Sequence, residues 1–106
     1  MVAETILHQL GGSGKLKAMI GAKQFTAGAN NLTFRFTAPS LNKANCIRIT
    51  LNAMDTYDVE FIRVRKFDLA TIHTESGIYA EDLRRIIEQV TGLYLSLGTL
   101  GRERHG

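Results

Sequence analysis

The stretch NCIRITLNAMDTYDVEFIRVRK, residues 45–66, decides the fold. Apolar and polar residues alternate on both sides of residues 52–55, which supply the turn. Successive side chains of a β-strand point to opposite faces of a sheet, so this pattern is typical of a β-hairpin that buries one face. The polar positions include Arg48, Arg63 and Arg65. The hairpin is therefore predicted to have one buried face and one charged face.

The apolar positions change phase within the second strand of this hairpin. The apolar residues are, in order, Tyr57, Val59 and Phe61, then Ile62 and Val64. An extra residue in a strand, a β-bulge, can account for such a change of phase. We therefore predict a bulge near Phe61–Ile62, which would turn Arg63 and Arg65 to the charged face.

Shorter patterns predict the elements around the hairpin. From the spacing of apolar residues we predict helices at 2–10 and 80–91, and extended segments at 15–26, 32–37 and 67–73. Gly11 and Gly12 are expected to end the first helix and Gly92 the last, because glycine readily adopts the left-handed conformation that follows a helix. Gly21 is interpreted as a bulge within the extended segment 15–26. The order of elements predicts an α+β fold, an antiparallel sheet of four to five strands with an N-terminal and a C-terminal helix packed on one face.

The composition is that of an ordinary folded domain with a mild positive charge. The chain has 106 residues, of which 44% are apolar and 22% charged, and its net charge is +3. We predict a single domain over residues 1–106, with 98–106 as a loose tail. Cys46 is the only cysteine, which is typical of a reducing cytosol. The N-terminal residues lack the pattern of a secretory signal, and the longest uncharged run, 89–101, is too short and too polar to span a bilayer, so we expect no membrane partner.

Two partial motifs fail when their full requirements are considered. The loop GGSGK at residues 11–15 lacks the first glycine and the Ser/Thr of a phosphate-binding P-loop and follows a helix, so it is interpreted as a connector. Cys46 and His73 would need the fold to bring them together as a nucleophile and its base, and no third group is visible to orient the histidine.

The paired carboxylates Asp58 and Glu60 invite comparison with a magnesium-dependent nuclease. The two side chains point to the same side of a strand. Ile62, however, stands where the common restriction-enzyme type has a lysine. Pairing of these carboxylates with Arg48 or Lys43 across strands is the favoured interpretation. We therefore expect neither a metal site nor a catalytic role, and no cofactor.

The strongest candidate for a binding site is the charged face of the sheet. The candidate partner-binding residues are Arg35, Arg48, Arg63, Arg65 and Lys66, with Asp55, Asp58 and Glu60 at the end of the hairpin. A solvated lattice of neutralised charges explains the same pattern. A surface for a phosphate backbone is the other interpretation. It lacks an aromatic platform for single strands, because the phenylalanines of these strands point to the core.

Three segments resemble a group of small proteins from bacteriophages and integrated mobile elements. They are QLGGSGKLKAMIGAKQF (9–25), KANCIRITLNAMDTYDVEF (43–61) and GIYAEDLRRIIEQVTGLYLSL (77–97). The loop at 11–17 looks longer than usual for the group, and the tail 102–106 is not part of its pattern. The group has no established biochemical activity. The resemblance therefore implies a setting, a phage-encoded protein in the cytoplasm of a bacterial host, and it assigns no role to any residue.

Taken together, these observations predict a small non-enzymatic binding protein. The leading hypothesis is a stoichiometric inhibitor of a bacterial defence system, of the anti-CRISPR kind, whose partner is a host protein or ribonucleoprotein complex. The alternative is a nucleic-acid-binding accessory protein that holds DNA or RNA on the basic sheet face, and a metal-dependent nuclease is a third hypothesis. The apolar residues between Tyr94 and Leu100 are interpreted as a docking surface or a homodimer contact if the core cannot cover them.

Overall fold

A computed structural model describes residues 2–95 and shows five strands and three α-helices. In chain order they are α1 (Val2–Gln9), α2 (Ser13–Ile20), β1 (Lys23–Ala27), β2 (Asn31–Arg35), β3 (Cys46–Leu51), β4 (Tyr57–Arg65), β5 (Asp68–Ile78) and α3 (Leu83–Thr91), with a 3-10 turn at Ala80–Asp82. Each strand pairs antiparallel with its neighbour in sequence, so β1 and β5 are the edges of the sheet. The predicted α+β class and antiparallel sheet are confirmed.

A single hydrophobic cluster joins the sheet to the helices. Alternate residues of the three central strands enter it, namely Leu32, Phe34, Ile47, Ile49, Val59 and Phe61. The helices contribute Ala3, Ile6, Leu16, Ile20, Leu83 and Ile87. We call the face of the sheet that carries these strand residues the inner face, and the opposite one the outer face. The packing of both terminal helices on one face stays a prediction.

The turn between β3 and β4 is organised by Asn52. Its Nδ2 donates to Thr56 Oγ1 at 2.9 Å and to Asp58 Oδ1 at 3.0 Å, and its Oδ1 accepts from the backbone N of Met54 at 2.9 Å. Asp55 adopts a positive φ of 67°, which aspartate tolerates in turns. The predicted chain reversal at residues 52–55 is confirmed.

Residues 13–20 form a helix, so the predicted extended segment is wrong over 15–20. Leu16 and Ile20 of α2 are buried and stand four residues apart, which is a helical spacing. Gly21 ends this helix in the left-handed conformation and does not form a bulge. Only the end of the predicted segment, Lys23–Ala27, is a strand.

Two helix ends depend on glycine, with different surroundings. Gly21 has φ 69° and Gly92 has φ 76°, and the end of α3 at Gly92 is as predicted. A Cβ at Gly21 would overlap the hydroxyl of Thr37, whose backbone N is held by the carbonyl of Ile20 at 3.2 Å. A Cβ at Gly92 would come 2.6 Å from Leu41 Cγ, and the backbone N of Leu41 is held by the carbonyl of Thr91 at 2.8 Å.

A bulge is present at Phe61–Ile62, as predicted, but its extra residue does not lie in β4, because the pairing of β3 with β4 is continuous. Their register runs without a shift as far as the pair Cys46–Ile62. Ile62 therefore keeps the alternation of β4 and lies on the outer face, opposite to its neighbour Phe61. The change of phase in the sequence therefore means that the apolar side chains of β4 lie on the inner face as far as Phe61 and on the outer face from Ile62 onward.

The irregularity belongs instead to β5. Phe61 pairs with His73, whereas the next residue, Ile62, pairs with Thr71. Ile72 is thus an extra residue on β5 with no counterpart on β4, which is the definition of a bulge. A bulge on the partner strand leaves the alternation of β4 intact, so Arg63 and Arg65 stay on the face of Phe61.

Candidate functional site

The unbroken alternation of β4 places a second apolar cluster on the outer face. Cys46 pairs with Ile62, and Val64 pairs with Leu69; we call these four residues the outer cluster. Cys46 and Ile62 are buried, Ile62 to 1% exposure, yet neither belongs to the main hydrophobic cluster. Leu69 is 64% exposed. The outer cluster therefore has a buried base and an apolar side chain open to solvent.

Arg35 borders the outer cluster and lacks an internal partner. It is the cross-strand neighbour of Cys46 on β2. Its Nε is buried without a hydrogen-bond acceptor, and none of the ion pairs found among residues 2–95 includes it. A buried donor left unpaired costs about 1–3 kcal/mol, and native proteins retain few of them. Among the described residues, the Nε of Arg35 is therefore an uncompensated buried donor, although the residue as a whole is only partly buried.

The carboxylates of the outer face are used in internal bonds. Arg48 Nη1 lies 3.1 Å from Glu60 Oε1, and the two residues are cross-strand partners. Asp58 Oδ1 accepts from Asn52 Nδ2 at 3.0 Å and from Gly77 N at 3.2 Å. The predicted pairing of a hairpin carboxylate with Arg48 is confirmed. Within residues 2–95 no three His, Cys, Asp or Glu side chains are grouped closely enough to hold a metal ion.

The predicted site residues do not form one surface. By register and alternation the outer face carries Arg35, Arg48, Asp58 and Glu60, whereas the inner face carries Arg63 and Arg65. Lys66 lies in the β4–β5 turn with φ 43°, and Asp55 lies in the turn at the opposite end of β4. At about 3.3 Å per residue, the nine residues of β4 separate the two turns by roughly 27 Å. The expectation that four arginines share one face is wrong, and the partner contacts of these residues stay a prediction.

Cys46 and His73 are separated by the sheet. Burial raises the pKa of the Cys46 thiol, although Arg35 and Arg48 act in the opposite direction, so the reactive thiolate is disfavoured. His73 lies on the inner face, with its Nε2 2.6 Å from Glu75 Oε2. The two residues therefore cannot act as a nucleophile and its base.

β5 is a long edge strand flanked by exposed aromatic residues. It has eleven residues, almost all of them exposed. No described strand pairs with the edge of β5 that faces away from β4. Phe67 in the preceding turn is 100% exposed, Tyr79 just after the strand is 61% exposed, and Ile72 within it is 42% exposed. Edges of this kind can pair with another chain. The sequence pattern predicted this strand only as far as residue 73, and it gave no sign that its side chains are exposed.

The outer cluster was also missed, although a signal for it exists. The adjacent apolar residues Phe61 and Ile62 mark the change of face, and the apolar partner for Ile62 is Cys46 on the neighbouring strand. Of the predicted homodimer contact, Tyr94 is exposed and Leu95 is buried in the main cluster. Residues 96–100, like the predicted tail 98–106, lie outside the described residues.

Among residues 2–95, the helices are too short and insufficiently apolar to cross a bilayer. Comparison of the chain with models of known protein families, with curated proteins and with solved structures gives no match. Function is therefore inferred from the geometry of the outer face and of β5.

Proposed function

We propose that the chain is a small non-enzymatic binding protein that docks a protein partner on its outer face. The observation that supports this proposal is the buried, unpaired Nε of Arg35 beside the outer cluster. A partner carboxylate would pair the accessible part of the Arg35 guanidinium, which has no ion-pair partner among the described residues, and an apolar group would cover Leu69. Protein interfaces commonly combine an apolar centre with arginine in this way.

The chemistry of Arg35 defines what the partner must supply. A guanidinium binds a carboxylate through two parallel hydrogen bonds, and water-excluded bonds of this charged kind are the stronger ones. Cys46 and Ile62 form an apolar floor next to it, so a carboxylate bound there would be partly shielded from solvent. The fitting partner surface is therefore an acidic side chain next to an apolar one.

The proposed biological setting rests on the resemblance to small phage proteins. A phage-encoded protein in the cytoplasm of a bacterial host would act by occupying a host machine in a fixed ratio. We propose a bacterial defence complex, such as a CRISPR effector, as that partner. Arg48 is held by Glu60 within the chain, which leaves Arg35 as the contact with the greatest expected effect.

The geometry gives less support to a nucleic-acid surface. Binding of a phosphate backbone requires several cations on one face, whereas the register sends Arg63 and Arg65 to the face opposite Arg35 and Arg48. Glu60 also neutralises Arg48. Binding of DNA or RNA is therefore treated as an outcome of the experiment below.

Affinity capture from bacteria that express the tagged full chain tests the proposal. Arg35→Met keeps the length of the side chain and removes the unpaired donor, and Lys17→Met on α2 is the control with the same change of charge at an exposed site. We expect the parent and Lys17→Met to retain the same host protein in a fixed ratio. Arg35→Met should lose at least about tenfold of it, as expected when a charged hydrogen bond worth about 1.5–3 kcal/mol is removed.

A stability measurement separates docking from folding. If the partner of Arg35 is external, Arg35→Met should leave the melting temperature unchanged or raise it, because a buried unpaired donor disappears. Leu69→Asp, compared with the equally drastic Met54→Asp at the exposed β3–β4 turn, should likewise lose the partner without unfolding. The proposal fails if Arg35→Met retains the partner, or if nuclease treatment releases everything that the parent captures.

A further inference from the structure

The exposed edge of β5 has opposite chemical character at its two ends. At its start, Lys66 and the fully exposed Phe67 precede the strand. At its end, the exposed Tyr79 is followed by the exposed Glu81. The start of the strand therefore carries a cation and an aromatic residue, and its end carries an aromatic residue and an anion. When two copies of the strand run in opposite directions, the start of each lies beside the oppositely charged end of the other. Antiparallel pairing about a two-fold axis does this, because it brings each end of one copy to the other end of its partner.

The alternation of β5 selects a register for such pairing. Residues opposite each other in a sheet lie on the same face. The pairing with β4 places Thr71 and Thr74 on the outer face, and Ala70 and Glu75 on the inner face. A two-fold axis between Ile72 and His73 sets Thr71 opposite Thr74 and Ala70 opposite Glu75. A shift by one residue would place outer residues against inner ones.

The two bulges of β5 are compatible with this register. Ile72, the first extra residue, falls at the axis. The second shift of the β4–β5 register places an extra residue between Glu75 and Ile78. Each copy contributes one such bulge, and the two bulges lie near opposite ends of the paired segment. Two regular stretches, residues 69–71 and 74–76, remain between them. Residues 69–71 of each copy lie opposite residues 74–76 of the other, once on each side of the axis. The bulges therefore do not interrupt these two paired stretches.

The same register brings the complementary ends together. The extra residue at 76–77 shifts the count by one beyond it. Asp68 of one copy therefore comes opposite Ile78 of the other, Phe67 comes opposite Tyr79, and Lys66 comes opposite Ala80, next to Glu81. Exposed apolar surface of Phe67 would be covered at both ends of the contact, and each Lys66 would face an anion. No like charges meet directly, since Asp68 comes opposite Ile78 and Glu75 comes opposite Ala70.

We propose that β5 pairs antiparallel with β5 of a second copy of this chain, which extends the sheet to ten strands. The two-fold axis is perpendicular to the sheet, so the outer faces of both copies point to the same side. The dimer would present two Arg35 sites and two outer clusters in one plane. The pairing itself does not depend on the proposed docking of a partner, because it uses the edge of the sheet and not its face.

Sedimentation of the full chain over a wide range of concentrations tests the pairing. We expect the mass to rise from the chain mass of 11.7 kDa to twice that value. Lys66→Glu and Glu81→Lys each replace two attractive contacts by two repulsive ones, and each should raise the dissociation constant roughly tenfold at low salt, as expected for exposed ion pairs. The double variant Lys66→Glu/Glu81→Lys reverses both charges and should restore the parent value.

Hydrogen exchange supplies a measurement that needs no variant. Amides of residues 68–77 on the free edge should exchange more slowly at concentrations at which the dimer forms, whereas those of the other edge strand, β1, should not change. The proposal is overturned by a single-chain mass at every concentration, by a dimer that ignores both single charge reversals, or by a double variant that remains as weak as the single ones. If the protein is a monomer and Arg35→Met nevertheless loses the captured host partner, only the pairing is refuted and the docking proposal stands.

Discussion

Ile62 should contribute to stability like a core residue, although it lies on the outer face of the sheet. Its side chain is 1% exposed. Truncation of a fully buried isoleucine to alanine costs about 2–5 kcal/mol, depending on how far the neighbours relax into the space. Leu69, in the same outer cluster, is 64% exposed and can move, so we expect about 2–3 kcal/mol for Ile62→Ala and about 1 kcal/mol for Ile62→Val.

Denaturant unfolding of the purified full chain measures this loss. The midpoint should fall while the slope of the free energy against denaturant stays constant, since the surface exposed on unfolding hardly changes. In a thermal scan, Ile62→Ala should lower the melting temperature by about 10–15 °C, at roughly 5 °C per kcal/mol for a domain of this size. Ile72→Ala is the matched control on the neighbouring strand, where the side chain is 42% exposed, and it should cost less than about 1 kcal/mol.

The result that refutes the reasoning is a small, equal loss for Ile62→Ala and Ile72→Ala. It would mean that Ile62 is not buried in solution and that the outer cluster does not form. A large loss for Ile62→Ala supports the cluster, and a double-mutant cycle with Cys46→Ala should then show a coupling of about 0.5–1 kcal/mol between the two cross-strand neighbours.

Three further predictions concern glycine, charge and pH. Gly21→Ala and Gly92→Ala should each destabilise by about 1–3 kcal/mol, because at both positions strain at positive φ adds to overlap with a neighbouring side chain; unchanged melting temperatures would contradict the geometry of these caps. Glu60→Gln should lower the free energy of unfolding by at most about 1 kcal/mol, because its ion pair with Arg48 is partly exposed. This loss should shrink in high salt, and a larger loss that does not depend on salt would contradict the prediction. Burial raises the pKa of Cys46 and of Tyr57 above their ordinary values of 9.0 and 10.0. The unfolded chain therefore loses these protons first, so stability should be level below about pH 9 and fall as the pH rises further, with a smaller fall in Cys46→Ala; melting temperatures that rise over this range would contradict the prediction.

The central strands were predictable because their signals are local and strict. β2, most of β3 and β4 as far as Phe61 alternate with a period of two. Asn52 fixes the turn between β3 and β4 through its side chain. α3 combines a strongly amphipathic spacing with a terminal glycine, Gly92. Each of these features depends on residues that are close in the sequence, so no knowledge of the tertiary structure was needed.

α2 was missed because it is short and weakly amphipathic. It has eight residues, and only Leu16 and Ile20 are buried. The glycines on both sides are equally typical of turns and bulges, so the stretch had no decisive pattern. Its helical state is consistent with the packing of those two side chains in the main cluster, and short helices are marginal without such packing.

The sequence of β4 indicates the bulge near Phe61–Ile62 but not the strand that carries its extra residue. Adjacent apolar residues at Phe61 and Ile62 are explained equally well by an extra residue in the strand and by a change of face. The pairing with β3 decides between them, and it favours the change of face. The same decision separates Arg63 and Arg65 from the other arginines, which is why the predicted basic face does not form.

The simple order of the sheet has a consequence for how the protein is made. Because every strand pairs with the one before it, no strand has to wait for a distant part of the chain before it can pair. During synthesis the sheet can grow hairpin by hairpin as the chain leaves the ribosome. It is complete once Ile78 has emerged, so that α3 docks afterwards.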